Sequence, residues 1–227
     1  MKKFLSVFTA VLFITTAAFS RNIPPVKKMF YKTADELAAS YDKADTVSKA
    51  IRNQAFVLYK LGKWKELESL FKKNNLNGGW PPANGGYNII DNTTIKAGAK
   101  FDRYSGAIGN YTGQGSPTLG GNFTSPVFGN IIYSFGQRAL NQPENAYDFY
   151  FEIEVLKDLP FAGQTADIIP WFNQVGGGKQ TMWKIPKDPS TGYPMTWNKL
   201  VSLGYIKITI KKSPSGKYPS LVNTEVQ

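Results

Sequence analysis

The chain has 227 residues, 42% of them hydrophobic and 19% charged, with 27 Lys and Arg against 16 Asp and Glu for a formal charge of +11. It contains neither histidine nor cysteine, which excludes disulfide staples, thiol nucleophiles, Ser-His-Asp and Cys-His catalysis, and nearly every zinc site. Any chemistry must run on guanidinium, ammonium, carboxylate, amide, hydroxyl and backbone groups, and the excess of positive charge favours anionic partners.

Lys2 and Lys3 precede an apolar run from Phe4 to Phe19, and Ala18-Phe19-Ser20 offers small residues where a signal peptidase reads. This predicts a secretory leader over 1–20, cleaved near Ser20. The run is shorter than the roughly 20 residues a membrane span needs. The mature chain, lowered by two charges to +9 when Lys2 and Lys3 leave, is expected to be secreted, without stable membrane insertion.

The region 21–75 reads as helical. Thr33-Ala34-Asp35-Glu36 has capping-box spacing, with Leu37 and Tyr41 following at helical intervals. Asp45 or Thr46 is placed to cap a second helix carrying Val47, Ile51, Ala55 and Leu58 on one face, and Gly62 ends it. Trp64, Leu67, Leu70 and Phe71 predict a third helix ending near Asn74. These apolar stripes are expected to be core.

From Asn77 to about Asn141 the chain turns rich in Gly, Asn, Pro, Thr and aromatics, a texture of short strands joined by turns. Further on, Phe151 to Lys157, Gln180 to Ile185 and Tyr205 to Lys211 read as strands, the last with Ile206, Ile208 and Ile210 on one face. Thr196 should cap a short helix over Trp197 to Leu203, closed by Gly204. The segment 213–227 reads as a loose tail. The expected class is α+β, a helical N-terminal layer followed by a compact β-rich region over 76–212.

Three local sequences do not read as ordinary core: Asn77-Gly78-Gly79-Trp80-Pro81-Pro82 with Asn84-Gly85-Gly86-Tyr87, Phe101-Asp102-Arg103-Tyr104 with Ser105-Gly106, and Ile169-Pro170-Trp171-Phe172-Asn173-Gln174-Val175-Gly176-Gly177-Gly178. In this order, with a turn at Gln137-Arg138-Ala139-Leu140-Asn141 and a final Leu200-Val201-Ser202-Leu203-Gly204-Tyr205-Ile206, they resemble the glycohydrolase domain of the tuberculosis necrotizing toxin family over roughly 76–212.

The resemblance implies a fold distantly like ADP-ribosyltransferases and a secreted NAD(P) glycohydrolase, with NAD or NADP as substrate and no cofactor. It also implies a toxin role with a possible immunity protein as partner, and no nucleic acid. It places Arg103 and Gln174 as the functional pair. Substrate contacts are expected from Tyr87, Tyr104, Arg138, Trp171 and Phe172, and from backbone N–H groups of Gly176, Gly177 and Gly178, where no Cβ blocks a ligand's approach. Family members often carry a His after the turn; this chain has none, and the corresponding place falls within Tyr147 to Phe151.

The chemistry tolerates that loss. Nicotinamide leaves NAD as a neutral group, so no general acid need protonate it, unlike an ordinary glycoside. A fork-shaped guanidinium suits the diphosphate, and a side-chain amide suits a ribose hydroxyl or the attacking water. Two other readings remain open. An ADP-ribosyltransferase would present an acid near Gln174, and Val175 to Gly178 supply none. A non-catalytic secreted module would hold anionic surfaces by charge alone, indifferent to loss of Arg103 or Gln174.

Overall fold

The computed structural model describes residues 29–106, 119 and 121–213. The predicted leader, and all but the first residue of the predicted tail, lie outside them. The α+β expectation holds: among the described residues three N-terminal α-helices, α1 Ala34–Ala38, α2 Lys49–Lys60 and α3 Trp64–Lys73, precede seven strands and one late helix, α4 Trp197–Ser202. No helix among the described residues is long and apolar enough to cross a membrane.

The helix ends follow their caps. Thr33 accepts from Glu36 N–H as predicted, while the Glu36 carboxylate reaches back to the N–H of Lys32 at 2.6 Å rather than to that of the cap itself. The second helix starts later than predicted. Ala44–Thr46 forms a separate 3₁₀ turn, and Ser48 caps α2 by accepting from Ile51 N–H. Thr196 caps α4 through Lys199 N–H, and Gly204 follows it at φ +69°, the left-handed value that favours glycine.

The strands are β1 Gly86–Thr94, β2 Lys100–Ser105, β3 Phe123–Val127, β4 Phe149–Val155, β5 Ala162–Ile168, β6 Lys179–Trp183 and β7 Ile206–Lys212. They form one antiparallel sheet in the order β1-β5-β6-β3-β2-β4-β7. Alternation along β4 and β7 buries Phe149, Phe151, Ile153 and Val155 on one strand and Ile206, Ile208 and Ile210 on the other. These meet Trp183, Trp197 and Leu200 in one core. A second core joins the helical layer to the opposite end of the sheet: Leu37, Leu67 and Phe71 pack with Ile89, Ala166, Ile169 and Trp171.

β3 holds the two halves together and also separates them. Its last residues pair with β2 (Ser125 with Asp102, Val127 with Lys100), whereas Phe123 and Thr124 pair with β6. Beyond Asp102, β2 and β3 therefore part, and a cleft opens between them.

Candidate functional site

A cavity of about 360 Å³ occupies this cleft, within the size range of small-molecule sites. One wall is Asp102, Arg103 and Tyr104 of β2; facing it are Gly121 to Ser125. Trp80, Asn84, the turn Arg138–Asn141, Tyr147, Phe172 and Gln180 also line it.

Arg103 is placed by the strand split. Its Nη1 donates to the carbonyl of Phe123 at 2.9 Å, and its guanidinium lies over the Trp197 ring, 5.3 Å from the centroid. Gly121, at φ +95°, leaves it room: a Cβ there would sit 2.5 Å from Nη1. Among the described residues Arg103 forms no ion pair, because the adjacent Asp102 is taken by Arg138. That carboxylate is fully buried and receives Nη1 and Nη2 of Arg138 at 2.5 and 2.8 Å and the Tyr150 hydroxyl at 2.7 Å. Burial draws the Arg103 guanidinium below its ordinary pKa, opposed by the nearby Tyr147. Among the described residues Arg103 is thus a cation in a cavity wall, short of counter-charge and with donors left over, which is what an anionic ligand requires.

Arg138 has a mainly structural placement. Its Nε donates to Tyr133 O at 3.0 Å, and its cation sits 5.2 Å over the Tyr104 ring, so it ties the turn to β2 while showing one side to the cavity. Tyr104 packs edge-on against Phe135 and leans on Tyr150. Tyr147, within the segment where the resemblance expects a histidine, lines the cavity and donates its hydroxyl to Asn141 at 3.0 Å. Burial raises the pKa of Tyr104, Tyr147 and Tyr150, the last also through its hydrogen bond to Asp102.

Of the residues singled out in the sequence, Arg103, Tyr104, Arg138, Trp171 and Phe172 line this one cavity. Tyr87 does not: its ring packs edge-on against Tyr59 and Trp64 of the helical layer. The cavity-lining aromatic of that segment is Trp80. The three glycines also lie outside the lining, for a backbone reason. Gly176 N–H donates to Gly136 O, Gly177 N–H to Ile168 O and Gly178 N–H to Gln137 O, so none is left for a ligand. They clamp the Arg138 turn onto the end of β5. A Cβ at Gly176 would stand 2.5 Å from Pro170 N, and one at Gly178 would stand 2.7 Å from Gln137 O.

Gln174 is not among the residues that line the cavity. It is partly buried, its Oε1 rests against Gly136, and its side chain makes no hydrogen bond among the described residues. The side-chain amides that do line the cavity are Asn84, Asn122, Asn141 and Gln180, and Gln180 Nε2 donates to Asn84 O at 3.1 Å. Sequence reading quotes Asn84 and Asn141 within its motifs but assigns no site role to them, nor to Gln180 or Asn122. A lone amide in a strand or loop carries no periodic signal, and only the fold brings these four together.

No protein-family model matches the chain, and no curated protein matches it. Among solved structures the chain is similar to the tuberculosis necrotizing toxin complexed with its immunity factor IFT, with 20% identity and a TM-score of 0.36. That match covers 56% of this chain and 60% of the toxin chain.

Proposed function

We propose that this cavity binds NAD or NADP and hydrolyses the bond between nicotinamide and ribose. One observation supports the reading: sequence blocks around Trp80, Arg103, Arg138 and Trp171, far apart in the chain, line a single cavity that holds a guanidinium with no carboxylate partner among the described residues.

In the proposed reaction the C1′–N bond of the nicotinamide riboside breaks with its electron pair passing to the pyridinium nitrogen, so nicotinamide leaves neutral. Water adds to the oxocarbenium-like C1′ and loses a proton to solvent, giving ADP-ribose. Arg103 holds the diphosphate through its planar fork. Tyr104, Tyr147, Trp171 and Phe172 wall the site against bulk water. Gln174, with an amide engaged by nothing else described, is assigned to the ribose or the attacking water. Export from the producing cell, a toxic role and an inhibitory protein partner belong to the same proposal.

The test follows nicotinamide release from NAD and from fluorescent etheno-NAD, with product masses separating hydrolysis from transfer to protein. We expect ADP-ribose and nicotinamide from the wild-type protein, and about 100-fold or greater loss in Arg103→Ala, the scale of removing a preorganised charge contact. A folded wild-type protein that releases no nicotinamide overturns the proposal.

A further inference from the structure

Trp80 is 49% exposed, although it stands at the mouth of a cavity and in a segment held from several sides. Asn77 donates from Nδ2 to the carbonyls of Trp80 and Pro81, at 3.3 and 3.1 Å, and accepts Asp42 N–H on Oδ1. The loop is also joined to Trp171, whose Nε1 donates to Gly79 O at 2.8 Å. The backbone that carries the indole is therefore held in place, while about half of the residue's surface stays exposed.

Its neighbour is Phe172, edge-on at 5.2 Å between centroids. Phe172 and Asn173 sit consecutively at φ +52° and +60°, a left-handed conformation that is an outlier for a bulky side chain. Such strain persists only where the surroundings enforce it, and it gathers at ligand sites. Here Trp171, buried in the helical-layer core, and the Gly176–Gly178 clamp hold the two ends of the turn, and the strained residue is the one turned to the cavity mouth. A half-exposed indole on a held backbone, beside a ring placed there against local preference, is a platform for a flat aromatic ligand group. Arg103 lies in the wall of the same cavity, so a single ligand that carries both an anionic group and a flat base fits the pair.

We propose that Trp80, with Phe172 at its edge, stacks the adenine base of the dinucleotide and sets the site's preference for adenine nucleotides over ligands lacking the base. This rests on the NAD reading for its catalytic consequence, but stacking itself is measurable without turnover. Trp80→Ala, Trp80→Phe and wild type are compared in AMP titrations followed by calorimetry, and in turnover of NAD against nicotinamide mononucleotide, which has no adenine.

Trp80→Ala is expected to weaken AMP binding and to raise KM for NAD by about fivefold to a hundredfold, the usual range for stacking on a protein aromatic. It should leave kcat for NAD and kcat/KM for the mononucleotide unchanged, and Trp80→Phe should recover most of the loss. Equal losses on NAD and mononucleotide, or unchanged AMP binding in Trp80→Ala, overturn the assignment. If the protein binds AMP through Trp80 yet releases no nicotinamide, the stacking site stands and the hydrolase reading falls.

Discussion

Arg138 grips the Asp102 carboxylate with both Nη atoms, at 2.5 and 2.8 Å, across 36 residues of sequence, although Asp102 is the chain neighbour of Arg103. The pair separates the work of two arginines in one cavity: Arg138 neutralises the buried acid and pins its turn, and Arg103 is left with a carbonyl and an indole for company. Among the described residues the charge of the cavity is half settled internally and half left open, an arrangement suited to an anionic ligand.

The two arginines should therefore separate by readout. Arg138→Ala leaves Asp102 buried without its partner, and breaking a buried pair from one side costs about 3–5 kcal/mol. Urea unfolding of Arg138→Ala should show a loss of that size, with activity falling along with the fold. Arg103→Ala removes no ion pair among the described residues and should cost less than about 2 kcal/mol, the scale of one hydrogen bond and some packing, while abolishing most of the proposed NAD turnover. Comparable destabilisation by the two variants would mean that Arg103 is structural.

The glycine block gives a graded prediction. Gly176→Ala drives a methyl group to 2.5 Å from Pro170 N and 2.6 Å from Ile169 C, at φ +63°. Backbone must move, so a loss above about 2 kcal/mol is expected, beyond the roughly 1–2 kcal/mol of the left-handed conformation alone. Gly177→Ala, at φ +83° with nothing within 4 Å, should incur only that conformational part. Thermal unfolding of the two variants ranks them, and the reverse order would contradict the clamp.

Much of this was legible in the sequence, and the remainder fails for identifiable reasons. β7 announces itself because Ile206, Ile208 and Ile210 alternate with polar residues, and α4 because Thr196 and Gly204 bracket it. β5, Ala-Gly-Gln-Thr-Ala-Asp-Ile, has no apolar alternation to read. It lies between β1 and β6, and tertiary pairing overrides its weak propensity. In the site, residue type led to Arg103, Tyr104, Trp171 and Phe172. The Gly-Gly-Gly run misled, since glycines needed for close backbone packing look the same in sequence as glycines that cradle a ligand. Tyr87 misled because the helical layer, rather than the cavity, claims the face of β1 on which it stands.

Gln174 decides between resemblance and lining. Its amide has no described partner, whereas Gln180 already braces Asn84. Gln174→Ala is expected to lower kcat about 100-fold, as for loss of an oriented catalytic donor, with the unfolding midpoint unchanged. Gln180→Ala should act mainly on KM, by loosening the Asn84 loop that lines the cavity. Unaltered turnover in Gln174→Ala, together with a collapsed kcat in Gln180→Ala, would transfer the catalytic role to Gln180.

The pH profile tests the absence of an acid–base pair. With no histidine or cysteine in the chain, neither side chain that ordinarily titrates between about pH 6 and 9 is present. Turnover of NAD, which asks for no protonated leaving group, should then be level across that range rather than bell-shaped. The alkaline limb has a structural origin. Tyr104, Tyr147 and Tyr150 have pKa values raised from 10.0, chiefly by burial. A raised value means that the folded state favours the protonated hydroxyl, so the stabilisation is whole below pH 10 and is lost as pH climbs through the folded values. Activity and fold should therefore decline together above about pH 10, and Tyr150→Phe, which cannot ionise against Asp102, should shift the unfolding limb upward. The opposite limb is weaker: Lys184 beside Asp91 holds that carboxyl below its usual value, a contribution present above pH 3.8 and lost as pH falls through the depressed one. A bell with a limb near pH 7 in kcat would show that an ionisable group outside this scheme carries the reaction.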